Sequence, residues 1–194
     1  MKNGIAIVGL NGSGKSTLAH KLAKKINYYE IDVEDYYFPE QKTSRQNALE
    51  GNYSGKHEYI GDLPYSLPRS KSEVEYAILK DIKEHAKFIL SGVAMNWDEK
   101  VLSKIKIAFW LKTPTSERVR RVKEREEKRW GTRVLKGGDM FEGQCIFLKT
   151  ISEISEEKVE KSIKKLNCDV IALDGTLSVS DNLDIVLKKI KDIL

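Results

Sequence analysis

Short apolar runs alternate along the chain with stretches whose apolar residues recur every three or four positions. The runs lie at 4–9, 28–33, 88–93, 105–111 and 169–173, and brief segments of this kind read as strands. Helical patterns begin at Lys15, Ser72, Thr115, about Phe141 and Val179. The first carries Leu18, Leu22, Ala23 and Ile26 along one side, a stripe suited to packing on a sheet. The third opens at Thr113-Pro114-Thr115, a capping hydroxyl beside a proline, with Glu117 in its first turn. Ser178 or Ser180 can cap the last, whose stripe is Leu183, Val186, Leu187, Ile190 and Leu194. Strands that alternate with helices predict βαβ units and a mostly parallel, doubly wound α/β sheet.

The pattern lapses between 39 and 68, where Gly51, Gly55, Gly61, Pro64 and Pro68 replace periodicity. A long irregular insertion in a compact domain usually serves function. A second break follows Gly131 and runs to Gly143. The expectation is one domain over 1–194, with an acceptor-binding insertion at 34–72 and a lid at 115–143.

Composition alters this picture little. The chain is 40% hydrophobic and 32% charged, as ordered soluble domains are. No apolar stretch approaches the roughly 20 residues of a membrane helix. Met1-Lys2-Asn3 runs straight into the first strand pattern, so a cytoplasmic protein without a signal peptide or membrane partner is expected. Cys145 and Cys168 stand alone and read as reduced thiols; His20, His57 and His85 are scattered and suggest no metal. Charge adds more. Residues 112–136 hold ten Lys/Arg against four acids, in a chain of net charge +5.

The strongest local signal is GLNGSGKST: Gly9, Leu10, Asn11, Gly12, Ser13, Gly14, Lys15, Ser16 and Thr17. It fits G-x-x-x-x-G-K-[ST], directly after a strand and at the start of a helix. Glycines allow successive N–H groups to converge on a phosphate, and the helix adds its positive N-terminal end. Lys15 can reach the β- and γ-phosphates of ATP, and Ser16 can ligate Mg²⁺. No NKxD or DxxG string occurs, which argues against a GTPase. The third strand ends Ile89-Leu90-Ser91-Gly92-Val93 without an acid, which sets aside an ATP-driven motor or AAA+ machine. Leu90-Ser91-Gly92 sits at a strand end, not at a helix start, and is a chance likeness to transporter ATPases.

Residues 28–40 read YYEIDVEDYYFPE. Strand alternation would put Ile31 and Val33 on one face, and Glu30, Asp32 and Glu34 on the other. Ligands in such sheets sit beyond the carboxyl ends of strands. Asp32, Glu34 and Asp35 are therefore candidates to hold Mg²⁺ or to accept a proton from a hydroxyl. Tyr36, Tyr37 and Phe38 could stack on a ring or pack in the core.

GLNGSGKST together with EDYYFPE resembles the P-loop nucleoside and nucleotide kinases, notably uridine kinase-like, nicotinamide riboside kinase-like and adenylate kinase-like enzymes. The resemblance implies a five-stranded parallel sheet ordered 2-3-1-4-5, a substrate insertion after strand two, an arginine-bearing lid, and ATP with Mg²⁺ as cofactors. It puts the proton-accepting acid on Glu34, with Asp35 beside it. Two departures matter. Glu stands where such kinases usually carry Asp, which leaves Glu34 and Asp35 as alternatives. Strand three lacks an acid, so metal support would come from Ser16 and the second-strand acids, Asp32 first.

Arg118, Arg121, Arg125 and Arg129 recur along one side of the third helix. Pairs such as Glu117–Arg121 and Glu124–Lys128 fit a salt-bridged solvent face. The stripe exceeds that need, and guanidinium groups stabilise a transferring phosphoryl. Arg125 and Arg129 are the expected catalytic pair, with Arg118 or Arg121 nearer the adenine. Gly131, Gly137 and Gly138 would act as hinges. Tyr37 and Arg69 could meet the acceptor, Asn96 and Trp97 could wall it, and Asp174-Gly175-Thr176 could face the adenine. The resulting expectation is an ATP-dependent phosphotransferase with a small-molecule acceptor. The rivals are an ATPase without acceptor and a module that binds nucleic acid through the basic window.

Overall fold

The computed structural model describes residues 3–51, 68–191 and 193. Five strands form one parallel sheet: β1 (Gly4–Val8), β2 (Tyr29–Asp32), β3 (Phe88–Gly92), β4 (Ile105–Lys112) and β5 (Asp169–Asp174). Their order is β2-β3-β1-β4-β5. That is the expected order and the fold of P-loop kinases. Every neighbouring pair runs parallel, with Ile7 of β1 beside Ser91 of β3 and Asp32 of β2 on its other flank.

Nine α-helices are found among the described residues: α1 (Lys15–Ile26), α2 (Val33–Tyr37), α3 (Lys42–Leu49), α4 (Lys71–Glu84), α5 (Glu99–Leu102), α6 (Thr115–Trp130), α7 (Phe141–Glu153), α8 (Glu157–Ile163) and α9 (Val179–Lys191). Alternation along the strands divides the core into two layers. Ala6, Val8 and Leu90 meet Val74 and Ile78 of α4, Val101 of α5 and Val159 of α8. Ile5, Ile7 and Ile89 meet Leu18 and Leu22 of α1 and Val186 and Ile190 of α9. Helices thus cover both faces, and the sheet is doubly wound.

Three local readings need correction. Strand β2 stops at Asp32, one residue early. Asp32 caps α2 by accepting the Glu34 N–H at 3.1 Å, so Glu34 belongs to a helix and strand alternation does not place it. The stretch after Pro39 is not wholly irregular, since a 3₁₀ turn, Pro39–Gln41, leads directly into α3. Helix α4 starts at Lys71, because Ser70 and Glu73 form a reciprocal capping box. The segment with His57, Gly55, Gly61 and Pro64 lies outside the described residues.

Candidate phosphate and carboxylate site

The loop from Gly9 to Gly14 joins β1 to α1. Gly12 and Gly14 sit at φ 82 and φ 95, left-handed conformations that side chains rarely adopt. A Cβ on Gly12 would also come within 2.4 Å of the Arg118 carbonyl. The loop is braced from behind. Thr113 Oγ1 and Arg121 Nη1 each donate to the Ser13 carbonyl at 3.4 Å, and Arg121 Nη1 donates to the Gly175 carbonyl at 2.9 Å. One guanidinium therefore ties the phosphate loop to the turn after β5, where Asp174 accepts the Thr176 N–H.

In front of the loop lies a cavity of about 360 Å³, lined among others by Gly14, Lys15, Ser16, Thr17, Glu34 and Arg45. Asn11 and Gly12 also border it; Leu10 and Ser13 are buried beneath the loop. Lys15 is buried, with Nζ 3.8 Å from Glu34 Oε1. The P-loop lysine and the candidate base share one space.

Arg45 of α3 lies across all three acids. Nη2 approaches Asp32 Oδ2 at 3.1 Å, Nε donates to Asp35 Oδ1 at 2.8 Å, and Nη1 donates to Glu34. Sequence reading missed this residue, because α3 was not legible as a helix. Burial alone would raise the Glu34 carboxyl, but Arg45, then Lys15 and Arg125, hold it well below the usual carboxylate range. Burial pushes Asp35 up to about 6, and the nearby Asp32 charge adds to that, against the opposing pull of Arg45. The two candidate bases therefore differ in character: one fixed as an anion, one titrating near neutrality.

The aromatic residues after the acids are anchors. Tyr36 is buried and donates to Asp81 of α4, which also accepts from Tyr29 at 3.2 Å. Tyr37 is half-buried and tilts against the Trp97 ring at 6.5 Å. Arg69 is exposed; its backbone N–H donates to the Tyr37 carbonyl, and its side chain is not among those lining the cavity. Asn96 accepts from Lys165.

The arginine stripe divides. Arg121, Arg125 and Arg129 line the cavity with Lys128. Arg118 instead points inward at 1% exposure and donates to the carbonyls of Thr113 and Ile151 and to Thr115 Oγ1. It pins α6 to α7 and does not line the cavity. Arg129 is buried, donates to Gln41 Oε1 at 3.2 Å and Ser44 Oγ at 3.3 Å, and lies over the Trp130 ring. Arg125 pairs with Glu126. Gly131 and Gly137 have φ 59 and φ 92, with open space around each.

Among the described residues no three or more His, Cys, Asp or Glu side chains are grouped to hold a metal. A smaller donor set exists. Asp32 Oδ2 and Ser91 Oγ are both buried without a hydrogen-bond partner. Their residues are register partners on adjacent strands. Ser91 lies two positions beyond Ile89, so both face α1. Two buried oxygens without a hydrogen-bond partner, one of them facing the Arg45 guanidinium, suit Mg²⁺, which takes few protein ligands and keeps its waters or phosphates.

The model of a family described as an AAA domain matches residues 5–146. The uncharacterized protein YqaC of Bacillus subtilis (strain 168) is 27% identical over 195 residues, covering 96% of this chain and 97% of that protein. Among solved structures, an unliganded sugar kinase from Janibacter sp. HTCC2649 matches with TM-score 0.52 and 15% identity, over 97% of this chain and 94% of that chain. Deoxyadenosine kinase from M. mycoides with bound dATP matches with TM-score 0.52 and 15% identity, over 97% and 99%. At that identity the likeness is one of fold. The missing Asp-Glu pair carries the expectation that an AAA+ machine is set aside, and the family match, to an AAA domain, runs against it. Strand β3 nevertheless ends at Ser91 and Gly92 without a carboxylate.

Proposed function

The chain belongs to the AAA domain family of P-loop proteins, and from that premise we propose that it is an ATP-dependent small-molecule kinase. One observation carries the reading. Lys15, Glu34 and three arginines of α6 line a single cavity, and Arg45, which also lines it, ties Glu34 to Asp32 and Asp35. An ATPase without acceptor has no need of a carboxylate held 3.8 Å from its lysine. The kinase names of the structural neighbours support the same reaction class.

In this reading the loop amides and Lys15 bind the β- and γ-phosphates of ATP. Ser16 and Asp32, with Ser91 beside them, would hold Mg²⁺, whose charge offsets that of the phosphates. Glu34, kept ionised, orients the acceptor hydroxyl. Asp35 takes its proton as the oxygen attacks the γ-phosphorus and the bond to ADP breaks. Arg125 and Arg129 neutralise charge on the transferring oxygens, while Arg121 braces the loop nearer the adenine. Residues 34–72 serve as the acceptor insertion and 115–143 as the lid of a single domain, with Tyr37 and Arg69 at the acceptor approach. The acceptor is a nucleoside, a nucleotide or a similar hydroxyl compound, and the setting is the cytoplasm.

The test is ³¹P NMR of the protein with Mg-ATP and a pool of nucleosides, nucleotides and hydroxylated metabolites. Acceptor-dependent ADP with a new phosphoester signal is expected. ADP formed at the same rate without the pool would replace the kinase by an ATPase.

A further inference from the structure

Arg45 stands where an isolated charge would be costly, yet it comes from an element with almost no hold of its own. Helix α3 buries none of its residues. Polar contacts keep it in place. Ser44 meets Arg129 at one end. At the other, Glu50, the residue after the helix, meets His20 at 3.1 Å and also Lys24 of α1. Exposed ion pairs of that kind contribute at most about 1 kcal/mol each. The remaining strong attachment is Arg45 itself, whose side chain is only 10% exposed and touches three carboxylates.

The contact with Asp32 differs from the other two. Asp32 Oδ1 accepts the Glu34 N–H, whereas Oδ2 is buried without a hydrogen-bond partner. Arg45 Nη2 is 3.1 Å from Oδ2, but no aligned N–H satisfies that oxygen. The guanidinium there supplies charge without a proper hydrogen bond. A divalent cation would supply twice the charge at a shorter distance, and it would repel the guanidinium across the same oxygen.

We propose that Arg45 and the divalent cation are alternate counter-ions of Asp32, so that Arg45 positions the acids in the metal-free site and metal loading releases α3 from the cavity. This rests on the kinase reading only as far as a Mg-nucleotide site. It needs neither an acceptor nor turnover. Its consequence is order. With α3 over the cavity, Ala48 and Leu49 wall it beside the phosphate loop. Arrival of the metal with the nucleotide then clears the way for the acceptor.

Two measurements test it, with ADP and Mg²⁺ as probes. The first is the factor by which Mg²⁺ tightens ADP binding, obtained by calorimetry. In Arg45→Gln that factor should rise by about tenfold, the scale on which groups around a metal ligand alter its affinity. Arg45→Lys should fall between, since its charge is kept and its fork is lost. An unchanged or smaller factor in both variants overturns the proposal. The second uses the unaltered protein. Amide hydrogen exchange in 42–49 should quicken in Mg-ADP relative to ADP with chelator, and equal or slower exchange overturns the proposal even if the variants fail to fold. If no acceptor is ever phosphorylated, both measurements still give their answer, so failure of the kinase reading is distinguishable from failure of this one.

Discussion

Glu34 and Asp35 are adjacent, equally acidic in composition and both bonded to Arg45, but their environments separate them. Glu34 also lies near Lys15 and is held ionised; Asp35 is pushed up to about 6 chiefly by burial. Paired carboxyls with divergent affinities for protons divide their work. Activity should therefore fall on an acid limb as Asp35 protonates, near 6 if Arg45 stays beside it and higher if metal loading withdraws Arg45, whose charge opposes the rise. Asp35→Asn should remove that limb together with most of the rate. Glu34→Gln should lower the rate without moving the limb. A pH–rate profile of both variants checks this. Stability follows with the opposite preference. The folded state raises the Asp35 pKa above its unfolded value of about 3.9, so it binds the extra proton between about 4 and 6. Folding is thus weakened as pH rises through that window. Asp35→Asn should be more stable than the parent at pH 8, on the order of 1–2 kcal/mol, with no gain below pH 4. Denaturant melts at the two pH values decide it. Sequence alone brought both acids to the site, but their difference depends on Arg45, Lys15 and burial. None of these is encoded in the local string.

At the scale of elements, the legible helices are those that bury an apolar stripe. Leu18 and Leu22 of α1 and Val186 and Ile190 of α9 are buried where their spacing put them. Helix α3 escaped because periodicity reports burial and α3 has none. Helix α6 misleads in another way. Its arginine spacing is regular, but Arg118 turns inward at the first turn, where the chain of α7 passes, and finds two carbonyls. Arg118→Ala should cost about 2–4 kcal/mol through lost packing and unpaired buried carbonyls. Arg118→Met, which keeps the aliphatic volume, should recover part of it, and ADP affinity of the folded fraction should be unchanged. Thermal unfolding with and without ADP separates the two effects. Arg121→Ala should behave in the reverse manner. It unties the phosphate loop from the Gly175 turn. ADP should then bind about tenfold more weakly, with little change in melting temperature without ligand.

At the scale of the whole molecule, the positive charge of the described residues 112–136 divides between ion pairs on the surface and the lining of the cavity. Arg120 pairs with Glu117 and Glu124, Lys123 with Glu127, and Arg133 with Asp139. Arg121, Arg125, Lys128 and Arg129 line the cavity, Arg121 while paired with Glu117 and Arg125 while paired with Glu126. A surface that reads a nucleic-acid backbone needs its cations spread along an open track, so that several phosphates are neutralised together. A cavity of about 360 Å³ admits one phosphate chain. In the kinase reading, the window that looks like a polyanion footprint in sequence serves as a local field for a small anion. The two cases differ in salt dependence. Backbone binding weakens steeply between 50 and 200 mM salt, by about a thousandfold for six contacts. Mg-ADP in a closed cavity should weaken no more than about tenfold over that range, because few counter-ions are released. Fluorescence anisotropy with labelled single-stranded DNA and with a labelled ADP analogue, at both salt levels, makes the comparison. The DNA should bind only at low salt and be displaced by Mg-ATP, since the same arginines serve both. DNA binding that survives at 200 mM salt and ignores Mg-ATP would locate the polyanion surface elsewhere on the chain and reinstate the nucleic-acid reading.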